Sequence, residues 1–226
     1  MTQEGGASSL TLLVIRGLDL IFSLAALLVF SPLLLLVAIA LRCSGEGEIF
    51  YRQVRIGKGG REFYLLKFAT MMKNSSAIGS GELTLLNDPR VLPLGRVLRK
   101  TKLNELPQLL NIVAGDLSLI GPRPQTLRYY NFYRPADRVL IDTIRPGLSG
   151  IGSILFRDEE TLLSKVTDPI ALDDHVITPY KGQVEHWFAA NQSVGLYFEL
   201  IFTTVLVVLM PSAGLHQRLL RRVPPP

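Results

Sequence analysis

The stretch Leu20–Leu41, LIFSLAALLVFSPLLLLVAIAL, decides what kind of fold this chain can adopt, because it is apolar throughout and carries no charge. At about 1.5 Å per helical residue it is long enough to cross a bilayer core of about 30 Å. A secretory leader fits poorly: the run is too long, no small-residue cleavage motif follows, and Arg42 comes directly behind it. The apolar character begins at Leu10, interrupted by Arg16 and Asp19, which stand one helical turn apart and can pair while reaching the interface.

Ser31-Pro32 falls in the middle of this segment. Proline removes a backbone donor and crowds the preceding turn, so a helix must bend or break there. Two paths follow: a kinked helix that spans the bilayer, or a break that returns the chain to the face it entered. The flanks do not choose between them, since Arg16 precedes the segment and Arg42, Arg52, Arg55, Lys58 and Arg61 follow it.

The 226 residues allow one domain of ordinary size, or a small domain with membrane elements. Apolar residues gather near the two ends, while the middle is rich in Arg, Gly and Pro, the pattern of a membrane-attached protein. Mean hydropathy is +0.30. A formal charge of +5 favours an anionic partner such as phospholipid, a phosphorylated substrate or nucleic acid. Nucleic acid is the weakest of these, for the chain lacks interleaved aromatic and basic residues and its apolar N-terminus has no role there. The single cysteine, Cys43, excludes an internal disulfide and a multi-cysteine metal site.

In the middle, EIFYRQ and EFYLLKF read as two strands joined by RIGKGGR, a β-hairpin. Gly57, Gly59 and Gly60 beside Arg55, Lys58 and Arg61 either form a plain turn or cradle a phosphate with backbone N–H groups. A polar stretch, KNSSAIGSGEL, reads as mobile. After it, DPRVLPLGRVLRKTKLNELPQLLNIVAG reads as helix in two parts, with Gly115 at the end of the second. Asn104 suits an N-cap there, which would set Glu105 at the positive end of the helix dipole. Arg123, held between two prolines in GPRP, is a rigid guanidinium suited to phosphate or to an ion pair with Asp116 or Glu105. A second turn-rich run, RPGLSGIGSI, carries Arg145.

Toward the C-terminus, Leu196–Met210 is apolar but short and contains Glu199, so an interfacial or buried helix is expected. His186-Trp187-Phe188 has the amphipathic aromatics of a membrane-interface belt. The final HQRLLRRVPPP is either a solvated tail or a contact for anionic head groups.

Taken in order, the apolar segment with Ser31-Pro32, FYRQVRIGKGGREFYLLKFATM, DPRVLPLGRVLRKTKLNELPQLLNIVAGDLSLIGPRP and RPGLSGIGSI resemble the bacterial sugar transferase family, the small monotopic polyprenyl-phosphate phosphoglycosyl transferases. The resemblance runs from about Val14 to about Val208. It implies an α/β fold, mostly α with a small β-hairpin. It further implies an N-terminal re-entrant helix-break-helix turning at Ser31 and Pro32, and amphipathic helices in the interface. The corresponding division is 1–43 for the membrane helix, 44–195 for a cytosolic-face catalytic domain and 196–226 for an interfacial helix and basic tail. The implied location is the bacterial inner membrane, with the catalytic part on the cytoplasmic face.

The implied reaction moves a phosphosugar from a nucleoside diphosphate sugar, usually a UDP-sugar, to polyprenyl phosphate such as undecaprenyl phosphate, with release of UMP. It would initiate synthesis of a surface glycan, and its partners include membrane lipid but no nucleic acid. Oligomeric state stays open, a homodimer included. Typical members carry Asp, the nucleophile, where this chain has Asn104, followed by Glu. Three routes remain: Glu105 takes the nucleophile's role; Glu105 serves as metal ligand or base while another group, or direct attack by the lipid phosphate, replaces the covalent step; or the chain has lost activity and is a membrane scaffold. The cofactor expected is Mg2+, which phosphoryl transfer requires to neutralise the diphosphate, with Glu105 as its ligand, and the phosphate contacts expected are Lys67, Arg99 and Arg123, then Arg90 and Arg145. Ala69 replaces an Arg common in the family, and Glu185 stands where many members carry Asp.

Overall fold

In the computed structural model, which describes residues 7–44, 46–78, 88–210 and 219–225, the apolar segment belongs to one continuous helix, α1 (Ser9–Arg42). Ser8 caps it, its hydroxyl accepting from the Thr11 N–H at 3.2 Å. A helix-break-helix was the expectation at Ser31-Pro32, yet the helix runs through. Pro32 cannot donate to the Leu28 carbonyl four residues back, and the Ser31 hydroxyl donates to that same carbonyl at 2.8 Å. The lost backbone bond is thus replaced locally, and no break is forced.

The rest of the molecule is fastened along the length of α1. Arg16 and Asp19 do not pair with each other; both turn inward. Arg16 donates to the carbonyls of Ile112 (2.6 Å) and Val113 (3.1 Å). Buried Asp19 accepts from the Leu119 N–H and the Tyr197 hydroxyl, each at 2.9 Å. Farther along, Ala26 and Leu27 lie on Leu65, Leu109, Ile112 and Leu117. At the end, Leu34, Val37 and Ala38 join buried Leu41, Phe68 and Leu98. The opposite side of α1 leaves Leu24, Leu28, Val29, Leu35, Leu36 and Ile39 exposed.

The hairpin forms as its alternation predicts: β1 (Phe50–Ile56) pairs antiparallel with β2 (Glu62–Phe68), placing Tyr51 opposite Lys67 and Arg55 opposite Phe63. Gly59 (φ 71°) and Gly60 (φ 68°) adopt left-handed conformations in the turn. The turn's amides are already used, by Gly57 to the Arg61 carbonyl (2.7 Å), Gly59 to Asp142 (2.9 Å) and Gly60 to Gly57 (3.1 Å). The plain turn therefore holds and the phosphate cradle does not. Of the polar stretch read as mobile, residues 79–83 lie outside the described residues.

The predicted two-part helix is α2 (Pro93–Lys100) and α3 (Gln108–Ala114), joined by a 3-10 turn at Leu103–Glu105. Gly115, at φ 99°, ends α3. A second sheet follows: β3 (Ser118–Ile120) pairs in parallel with β4 (Gly147–Ser149), separated in the chain by the short helices α4 (Leu127–Tyr130) and α5 (Pro135–Ile141). This pairing brings GPRP beside RPGLSG so closely that a Cβ on Gly147 would lie 2.1 Å from the Gly121 nitrogen.

Three short helices, α6 (Ile151–Leu155), α7 (Glu159–Leu163) and α8 (Pro169–Leu172), lead through a π turn into α9 (Thr178–Ala190) and then α10 (Val194–Leu209). The described residues are thus mostly helical with two small sheets. Phe188 lies in the main core with Val184, Leu196 and Leu200, and His186 contacts Asp137 at 3.3 Å. Those two residues of the expected aromatic belt accordingly face protein. Helix α10 buries Leu196, Tyr197, Leu200 and Val207 and meets α1 through an edge-on Phe22–Phe198 contact. Its outward side is apolar, with Phe202, Val205, Val208 and Leu209 exposed, so the short helix expected here forms and is buried along one side only. Of the tail, residues 211–218 and 226 lie outside the described residues; Leu219 and Val223 are buried, and Arg222 pairs with Glu199 at 2.5 Å.

Candidate active site

Strand periodicity sets the first side chains of the site. Leu65 and Lys67, two apart on β2, share a face, and Arg55 on β1 points to the same side. The 3-10 turn presents Glu105, and Gln108, three residues on, opens α3 one turn later. Lys102 begins that turn with φ 59°, a left-handed conformation uncommon for a residue with a Cβ. Arg123 and Pro124 come from the segment after β3, and Leu148 from β4. Together these eight residues, Arg55, Leu65, Lys67, Glu105, Gln108, Arg123, Pro124 and Leu148, line a cleft of about 230 Å³.

Lys67 Nζ lies 3.8 Å from Glu105 Oε1, the two side chains being 18% and 20% exposed. Burial pushes the Lys67 ammonium down to about 7; Glu105 opposes the shift, and Arg123, Arg55 and Arg99 add to it. Burial also works against an ionised Glu105. The attraction of Lys67, then of Arg123, Lys102 and Arg99, outweighs it and holds the carboxyl below the usual carboxylate range. Glu105 is therefore an anion at neutral pH, and Lys67 sits near its titration point.

Arg123 is exposed, and its guanidinium lies 3.5 Å from the Ser153 hydroxyl; its backbone N–H donates to Glu185 Oε1 at 3.0 Å. No ion pair with Asp116 or Glu105 appears for it among the described residues. Arg55 is held by the Pro124 carbonyl (3.1 Å) and by Gln53 (2.6 Å). Arg99 lies 3.8 Å from the Met71 sulfur and acts on the cleft through its field.

Arg90 and Arg145 stand apart. Arg90, 4% exposed, grips the Asp88 carboxylate at 2.6–3.1 Å and the carbonyls of Ser75 and Ile78, both at 2.7 Å, which makes it a staple of the fold. Arg145 donates to the Gly115 carbonyl at 2.8 Å. Asn104 is not an N-cap: α3 starts only at Gln108, behind Pro107, and has no side-chain cap. It is 6% exposed, does not line the cleft, and its Oδ1 has no hydrogen-bond partner. Nor does a helix end account for the Glu105 anion, which the surrounding cations stabilise. Ser31 and Pro32 lie within α1 and outside the cleft lining.

Sequence reasoning missed Gln108. The signal was present, since a three-residue spacing from Glu105 places both on one side of a helical turn. Arg55 was noticed only as a neighbour of the glycine turn; its strand register opposite Phe63 sends it into the cleft instead.

A cleft with one carboxylate kept ionised among cations thus sits on a body that carries a long apolar helix compatible with membrane association. The family model described as bacterial sugar transferase matches residues 10–211. Exopolysaccharide production protein ExoY of Rhizobium meliloti (strain 1021) is 40% identical over 165 residues, covering 67% of this chain and 73% of the relative. The UDP-N-acetylgalactosamine-undecaprenyl-phosphate N-acetylgalactosaminephosphotransferase of Aeromonas hydrophila is 35% identical over 196 residues, covering 86% of this chain and 43% of the relative. The UDP-glucose:undecaprenyl-phosphate glucose-1-phosphate transferase of Escherichia coli (strain K12) is 33% identical over 171 residues, covering 74% and 36%. This chain spans less than half the length of the last two. It belongs to the bacterial sugar transferase family and is by class a transferase enzyme.

Proposed function

We propose that the protein transfers a sugar phosphate from a nucleoside diphosphate sugar, of the UDP class, to undecaprenyl phosphate and releases UMP, initiating a surface glycan. The observation that carries this reading is the Glu105 carboxylate, held as an anion by Lys67 in a cleft whose other charged side chains, Arg55 and Arg123, are cationic. Lys67 and Arg123 bind the donor's phosphate oxygens, and Arg99 adds positive field. A Glu105 oxygen attacks the β-phosphorus; the bond from that phosphorus to the oxygen bridging to the α-phosphate breaks, and UMP leaves with the electron pair. The phosphosugar remains on Glu105 as an acyl phosphate. An oxygen of undecaprenyl phosphate then attacks the same phosphorus, the acyl-phosphate P–O bond breaks, and the carboxylate is regenerated. Asn104 cannot serve in this role, because a neutral amide is a poor nucleophile and this one is buried and does not line the cleft.

Mg2+ fits as a companion of the diphosphate. Glu105 offers one carboxylate oxygen, and among the described residues no group of three His, Cys, Asp or Glu side chains gathers to hold an ion by itself. Bound with the donor, the ion would neutralise charge on the departing UMP.

The protein works from the cytoplasmic face of the inner membrane, with the exposed apolar sides of α1 and α10 in the lipid and both ends of α1 on the cytoplasmic side. What supports this is the docking of α1 at Arg16 and Asp19, at Ala26 and Leu27, and again near Leu41. A helix of about 51 Å, at ~1.5 Å per residue, lies along the body rather than leading away from it.

Asn104 favours one rival, an inactive scaffold for glycan-assembly enzymes. A panel of UDP-sugars with undecaprenyl phosphate, followed by UMP release, separates the two. Turnover of one sugar is expected; no release with any of them is the scaffold's result.

A further inference from the structure

Glu185 on α9 is 1% exposed, and its carboxylate reaches the one backbone N–H in the Pro-Arg-Pro triplet, since Pro122 and Pro124 have none. The flanking groups are pinned as well. The Pro122 carbonyl accepts from Gly147 N–H at 2.8 Å, the Pro124 carbonyl from Arg55 at 3.1 Å, and the Gln125 carbonyl from Ile56 N–H at 2.8 Å. Arg123 is thus the exposed side chain on a segment whose backbone is tied on every side, and the tie at Arg123 itself comes from a side chain.

The fold makes room for that tie. A Cβ on Gly152 would lie 2.2 Å from Glu185 Oε1. The second oxygen, Oε2, is buried without a hydrogen-bond partner. Burial pushes this carboxyl up to about 7 against the pull of the Arg123 N–H, the Arg123 guanidinium and Lys181. A half-satisfied buried acid is a poor way to stabilise a core. Its presence calls for a task other than packing.

We infer that Glu185 is a positioning residue: by accepting the Arg123 N–H it fixes the backbone from which the Arg123 guanidinium reaches the donor diphosphate. Glu185 is buried and touches no substrate; it acts through Arg123. This inference rests on the reading of Arg123 as a phosphate contact given above.

A double-mutant cycle tests it with the full-length protein in membranes, measuring kcat and KM for the donor and the melting temperature of each variant. Glu185→Gln keeps an acceptor oxygen and should hold kcat/KM within about threefold. Glu185→Leu removes the acceptor at similar volume and should lower kcat/KM about ten- to hundredfold, largely through a raised donor KM. In an Arg123→Ala background, Glu185→Leu should cost no more than about threefold further. Additive losses in the double variant, or a Glu185→Gln variant as impaired as Glu185→Leu, would overturn the positioning role. If Glu185→Leu does not fold, Glu185→Gln decides alone: near-full activity supports the acceptor role and a loss of tenfold or more removes it. Arg123→Ala with unchanged kinetics would instead strike the phosphate-contact reading itself.

Discussion

Lys67 and Glu105 share one ion pair but answer pH in opposite directions. Lys67 has its ammonium pushed down to about 7, so it loses its positive charge as pH rises through neutrality, while Glu105 stays ionised well below it. The kcat/KM for the donor should therefore fall on the alkaline side with a midpoint near 7 and hold on the acidic side into the carboxylate range. If the donor diphosphate binds beside Lys67 as proposed, its negative charge should move the same limb upward in the kcat profile. Lys67→Arg keeps its charge at every accessible pH and should abolish the limb near 7. An unchanged alkaline limb in that variant would assign the titration to another group. At this scale the sequence was informative about type and less so about placement. Glu105, Lys67 and Arg123 came together through the ordered motifs of the family resemblance, and the structure sets all three in one cleft. Arg90 was indistinguishable from them until Asp88, two residues away, proved to be its buried partner.

Helix α1 shows why elements are easier to foresee than their docking. Its existence follows from an uninterrupted apolar run, as the hairpin follows from alternation and the end of α3 from Gly115. Arg16 and Asp19, by contrast, look like a local pair; their partners lie about a hundred residues away or farther, at Ile112, Val113, Leu119 and Tyr197. The parallel pairing of β3 with β4 was equally hidden, since three-residue strands carry too few positions to show a period. Asp19 receives two hydrogen bonds in a buried setting, so Asp19→Ala leaves two donors unmatched. The expected loss is about 2–4 kcal/mol, seen as a melting temperature lowered by about 5–15 °C in a chain of this size. Tyr197→Phe removes one donor and should cost less. Equal melting of Asp19→Ala and the parent would mean that α1 is held by apolar contacts alone.

On the scale of the molecule, α1 and α10 together expose an apolar surface while the cleft is built of charged side chains on β1, β2, the 3-10 turn before α3 and the segment after β3. One face suits lipid and one site suits phosphate, which is what joining a water-soluble donor to a lipid-borne acceptor requires. Cys43, exposed at the end of α1 and the chain's single cysteine, reports topology directly. With Ser8→Cys added at the other end, both thiols should react with an impermeant maleimide from the same side of sealed vesicles. Labelling from opposite sides would make α1 a spanning helix. Substitutions on the exposed apolar side of α1, such as Leu28→Glu with Leu36→Glu, should shift the protein from the membrane to the soluble fraction without changing the far-UV spectrum.

The proposed transfer depends on one acid, Glu105. Transfer of a radiolabelled sugar phosphate from its UDP-sugar to undecaprenyl phosphate, compared between the parent and Glu105→Gln, tests it most directly. Labelled lipid should form with the parent and fall to background with Glu105→Gln, whose neutral amide can neither attack phosphorus nor bind a cation as a carboxylate does. Undiminished transfer by Glu105→Gln would contradict the central role given to this residue.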